Sequence, residues 1–260
     1  MRRYLIIAAV ILLLSALIPM FCHRTAPETG SPRPRAAIVD QLYLMEPDPA
    51  FIAGATATLE SGGFAVELWQ GDNITVDLYR HLPQYGYKLI IFRVHSGMLL
   101  SMEGGKVEPL QTTYLFTGET YTTTRYVAEQ LSDKVSNAMM SNEYPLVFAI
   151  NSEFIKDDFK GDFDHAVIIA MGCESYYLDD MADAFLQKGA STYIGWSTLV
   201  SLEHTDKAAL NLLGNLCTAN MTVAQTIDRT MSELGHDPYF GSYLKFPPES
   251  GDKTLKELIK

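Results

Sequence analysis

The chain is poor in the residues that hold a fold together from outside its own core. It has three cysteines, Cys22, Cys173 and Cys217, too few and too odd a number for a disulfide framework. No CxxC pair or Cys/His cluster shows zinc-like spacing, and the six histidines are scattered. No metal is expected and no cofactor is implied. Basic charge is scarce as well. Twenty Lys and Arg stand against 31 Asp and Glu, for a net charge of -11. Such a surface repels phosphate backbones, so nucleic acid is not an expected partner. Neither a GxGxxG loop nor a Walker loop is present, which ranks a doubly wound nucleotide-binding domain last among the possible readings. What remains is ordinary globular material, 47% hydrophobic and 20% charged, enough to build a sizeable core.

The N-terminus stands apart. Two arginines precede an uninterrupted apolar run from Tyr4 to Phe21. That length is near the minimum for a transmembrane helix and exceeds the usual apolar core of a signal peptide. No clean small-x-small cleavage site follows it. Residues 1–24 are therefore read as a signal anchor in preference to a removed signal peptide. Arg2 and Arg3 favour a cytoplasmic N-terminus and an extracytoplasmic body; Arg24, Arg33 and Arg35 on the other flank pull the opposite way. Residues 25–36, TAPETGSPRPRA, read as a stiff, extended linker, and residues 37–260 as one α/β domain.

Within that domain, short apolar runs alternate with helical patterns. Strands are expected at 37–44, 64–69, 87–94, 166–171 and 191–196, with a further one inside 144–154 and a last short one at 243–246. Helices are expected at 48–61, 75–82, 122–140, 177–188, 205–216 and 222–234. Gly104-Gly105 between two apolar segments reads as a β-hairpin over 98–117. Apolar strands separated by helices imply a mostly parallel sheet covered on both faces. In such sheets functional groups gather beyond the carboxyl ends of the strands. His95 stands there after YKLIIFRV, Cys173 after AVIIAM, and Ser197, preceded by Trp196, after STYIGW. A cysteine hydrolase needs a thiol, a group that takes and returns a proton, and donors for the oxyanion. Gly97 and Gly172 would let the backbone approach a substrate closely.

The order of these features resembles the caspase-like clan of cysteine peptidases, and in particular its gingipain and CHAT members. The similarity lies in the strand ending at His95, in VIIAMGCES, in DDMADAFLQKGASTYIGWS, and in the paired helical segment KAALNLLGNLCTANMTVAQTIDRTM. It covers roughly residues 37–235, through short motifs whose order carries more weight than any one of them. The resemblance implies a caspase-like three-layer sandwich and acyl transfer to Cys173. In it His95 would be the acid/base, backbone N–H groups at Cys173 and near Gly97 would form the oxyanion hole, and Trp196 would line a substrate pocket. The clan has Gly directly after the His, whereas Ser96 intervenes here and changes which N–H faces the oxyanion. Glu174, Asp179 and Asp180 read either as helix N-terminal acids or, with Glu174 foremost, as an acidic pocket for Arg or Lys. Cys217 reads as core. His165 falls at the wrong sheet end, His204 is a weak second candidate, and His81 reads as surface. The expected function is a membrane-tethered cysteine endopeptidase with a polypeptide substrate. The alternative is a catalytically inactive caspase-like binding or scaffold module at the membrane surface.

Overall fold

Successive side chains of a strand point to opposite faces, so a strand that is apolar at every position suits a sheet covered on both sides. In the computed structural model, which describes residues 33–103 and 106–260, β1 (Arg35–Asp40) behaves in this way. Ala37 and Val39 enter one core while Ala36 and Ile38 enter the other. β3 (Tyr87–Arg93) and β8 (Ala166–Ala170) divide alike, with Ile90, Phe92 and Ile168 on one side and Leu89, Ile91, Val167 and Ile169 on the other. With β2 (Ala65–Gln70), β9 (Ala190–Trp196) and β10 (Leu244–Lys245) they form a six-stranded sheet in the order β10-β9-β8-β3-β1-β2. Every neighbouring pair is parallel except β10 with β9.

Helices cover both faces. α1 (Pro49–Ser61), α6 (Leu202–Leu213), α7 (Val223–Leu234) and α8 (Leu255–Leu258) pack residues such as Phe51, Leu59, Leu212 and Ile227 into one core. α2 (Val76–His81), α4 (Ser152–Asp158) and α5 (Asp180–Gln187) send Tyr79, Phe154 and Phe185 into the other. The expected α/β class, a mostly parallel sheet between helical layers, is therefore present. The caps are local: Asp48 accepts from the Phe51 N–H ahead of Pro49, and Thr222 and Gln225 form a capping box.

A second, antiparallel sheet has the order β4-β5-β7-β6. It is built from β4 (Ser96–Glu103), β5 (Lys106–Thr120), β6 (Val135–Ala138) and β7 (Val147–Asn151). The expected hairpin is its first half; Gly104 and Gly105 lie outside the described residues.

Four sequence expectations are corrected. The helix expected over 122–140 shrinks to α3 (Val127–Leu131), because Asp133 takes a left-handed conformation and Val135–Ala138 pairs with β7. Long-range pairing overrides local propensity there. The first strand ends at Asp40, and 41–44 turn off as a 3-10 helix. The polar tail carries α8, with its own Thr254–Glu257 capping box. β1 also begins inside the segment read as linker. Among the described residues no helix is long and apolar enough to cross a membrane; the run 4–21 and Cys22 lie outside them.

Candidate functional site

β3 and β8 are parallel neighbours in register from Leu89↔Val167 to Phe92↔Ala170. Their carboxyl ends therefore emerge side by side. The chain leaving β3 delivers Val94 and His95; the chain leaving β8 delivers Met171, Gly172 and Cys173. His95 and Cys173 line one cavity of about 250 Å³. Leu42, Met45, Val94, Met171, Val200 and Leu202 supply most of its walls, joined by Glu46, Gly172 and Thr205.

His95 is held by its main chain. Its N–H donates to Gln41 Oε1 at 2.9 Å, and its carbonyl accepts from the Phe116 N–H at 3.0 Å. Its ring lies 5.9 Å from that of Phe116. Burial holds the imidazole below its ordinary pKa. The Cys173 thiol donates to the Val200 carbonyl at 3.4 Å and accepts from the Val200 N–H at 3.5 Å. Burial pushes it above the ordinary thiol value, helped by the charges of Glu174 and Asp237 and opposed by the Val200 contact. Both shifts favour neutral forms. The resting pair is thus a thiol and an imidazole, and among the described residues the thiol's hydrogen bonds run to Val200.

The two strand ends touch directly. A Cβ on Gly172 would lie 2.2 Å from Ser96 Oγ and 2.5 Å from the Val94 carbonyl, so only glycine fits. Ser96 is buried and its hydroxyl donates to the Cys173 carbonyl at 2.6 Å. The residue that separates His95 from Gly97 therefore fastens the cysteine loop to the histidine strand.

Glu174 takes a left-handed conformation and turns to the hairpin, where Oε2 accepts from the Met98 N–H at 3.2 Å. Gly97 leaves it room, since a Cβ there would sit 3.2 Å from that oxygen. Glu174 is not among the cavity's lining residues. Its neighbouring acids are also engaged elsewhere. Asp180 accepts from Thr113 N–H, Thr113 Oγ1 and Thr112 Oγ1, each at 2.9 Å, and Asp179 faces Lys245.

Trp196 is likewise engaged away from the cavity. It is 1% exposed, its indole N–H donates to Thr205 Oγ1 at 2.8 Å, and it does not line the cavity. A large ring on a strand buried on both faces goes into the core. His204, 9% exposed, packs against that indole and away from the cavity. His165 lies before β8, at the opposite end of the sheet, exposed and near Ser191. His81 Nδ1 stands 2.8 Å from the Asp77 carbonyl. Cys217 packs against the core, and burial pushes its thiol up to about 12.

Several supporting residues escaped the sequence reading. Arg93, fully buried, makes a two-pronged contact with Asp206 at 2.9 and 3.0 Å and reaches Asp40 at 2.8 Å and the Glu46 carbonyl at 3.1 Å. Burial works against its charge, but the bonds to Asp206 and Asp40 outweigh it and the guanidinium stays charged. Thr205 Oγ1 donates to the Met171 carbonyl at 2.8 Å. Asp237 accepts from the Ser201 N–H and hydroxyl, which fixes the residue next to Val200. An arginine closing the buried run LIIF was the one available signal; the partners of Gln41 and Asp237 are distant in sequence.

No protein-family model matches this chain, and no curated protein matches it. Among the described residues no group of His, Cys, Asp and Glu could hold a metal ion.

Proposed function

We propose that the protein is a membrane-anchored cysteine endopeptidase of the caspase-like type, with Cys173 as nucleophile and His95 as acid/base. The observation that carries this reading is the placement of both side chains on one cavity at the ends of adjacent parallel strands. The anchor is the apolar run 4–21, and the Pro-rich segment ahead of β1 would tether the domain to it.

In the first half-reaction the thiol leaves Val200 and gives its proton to the neutral imidazole. The sulfur attacks the peptide carbonyl, forming the C–S bond. The C–N bond then breaks as His95 protonates the leaving amine. Water next attacks the thioester, its proton passing to His95 and then to the departing thiolate. The neutral resting state of His95 suits its role as proton acceptor. The N–H of Cys173 and an N–H near Gly97 would receive the oxyanion, with the Ser96 bond to the Cys173 carbonyl keeping the loop in place.

One observation favours a second reading, a non-catalytic binding module: the thiol is engaged by Val200 and its pKa is raised. The test is cleavage. The full chain in detergent micelles is incubated with a mixed peptide library, and new amino termini are mapped by mass spectrometry. The proposal expects termini produced by the wild type and lost in Cys173→Ala. Equal profiles for the two proteins would favour the binding module.

A further inference from the structure

The cavity that holds His95 and Cys173 has no buried charged group in its walls; its one acid, Glu46, is exposed to solvent. Leu42 and Val200 are buried, as are Val94 and Met171. Thr205, the one hydroxyl among the lining residues, is already used twice, donating to the Met171 carbonyl and accepting from the Trp196 indole. The one acid is Glu46, which is exposed to solvent and also borders two neighbouring cavities. The acids next to Cys173 in sequence are committed elsewhere: Glu174 to Met98, Asp180 to Thr112 and Thr113. The nearest buried arginine, Arg93, is matched by Asp40 and Asp206. An ionised side chain entering this space would lose water and find no buried partner, only Glu46 at the exposed rim, whereas an aliphatic one would gain apolar contact.

Resting on the peptidase reading above, we infer that this cavity receives an uncharged aliphatic side chain, of the leucine or methionine class, from the residue whose carbonyl Cys173 attacks. Specificity of this kind is shape and apolar contact, with polar recognition left to the peptide backbone. Met45, half-buried in the wall, is the position from which the preference can be reversed.

The experiment measures labelling rates of the full chain in detergent micelles by acyloxymethyl-ketone probes that differ only in the residue beside the ketone: leucine, methionine, lysine, arginine or aspartate. Adducts are located by peptide mapping, with Cys173→Ala as control. The inference expects the leucine and methionine probes to label Cys173 at least about tenfold faster than the charged ones. It also expects Met45→Asp to narrow or invert that order in favour of lysine and arginine. Faster Cys173 labelling by any charged probe in the wild type would overturn the inference and leave the peptidase reading standing. An unchanged order in a folded Met45→Asp protein would overturn the assignment of this cavity as the subsite. No labelling by any probe, in a sample whose Cys173 is alkylated by iodoacetamide after unfolding, would remove the peptidase reading and the inference with it.

Discussion

The two ends of the central sheet are made of similar residues put to different uses. At the amino end Lys88 and Asp164 form an ion pair with Asp164 largely in solvent, and His165 is exposed beside Ser191. At the carboxyl end the polar groups are buried and joined. Arg93 binds Asp40 and Asp206, Gln41 holds the main chain of His95, and Ser96 holds that of Cys173. A buried polar group must be satisfied or it is destabilising. The carboxyl end therefore carries a structural liability that the amino end avoids. The fold fixes positions most tightly at the end of the sheet where a histidine and a cysteine share a cavity.

Substitutions can test that contrast in order of effect. Arg93→Met leaves Asp40 and Asp206 buried without their cation and should destabilise by about 3–5 kcal/mol, read from chemical denaturation. Gly172→Ala drives a methyl group into Ser96 and Val94. It should lose about 1–3 kcal/mol and also slow probe labelling of Cys173, because the displaced backbone is the one carrying His95. A smaller effect is expected from acid. Burial lowers the His95 pKa in the folded state, so as pH falls the unfolded chain takes up that proton first. The contribution of neutral His95 is fully present above about pH 6.5 and is lost below it, until the folded value is reached. Denaturation midpoints at pH 7 and pH 5 should differ less in His95→Gln than in the wild type. At the amino end, Lys88→Met should change stability by less than about 1 kcal/mol. A loss comparable to that of Arg93→Met would erase the contrast.

Much of the central sheet was legible because burial on both faces writes a continuous apolar run, as in AVIIAM and the LIIF of YKLIIFRV. The rule that chemistry gathers at strand carboxyl ends then singled out His95 and Cys173, which share a cavity. What was not legible depends on partners far away in the chain. Val135–Ala138 follows a helical pattern until β7 is available to pair with it. Trp196 and Glu174 follow or adjoin the candidate site in sequence, yet their directions are set by Thr205 and by the Met98 N–H. Ser96 reads as an intervening residue, and only the neighbouring strand end reveals its bond to Cys173. Gln41 looked like part of a strand; its amide matters because β1 and β3 end side by side.

If His95 and Cys173 work as a pair, loss of the histidine must slow the reaction of the cysteine. The most direct measurement is the rate of Cys173 labelling by a mixed set of acyloxymethyl-ketone probes in the wild type, His95→Ala and His165→Ala, each as the full chain. A working pair predicts a loss of about 100-fold or more for His95→Ala and an unchanged rate for His165→Ala at the other end of the sheet. Equal rates for the two histidine variants would contradict it.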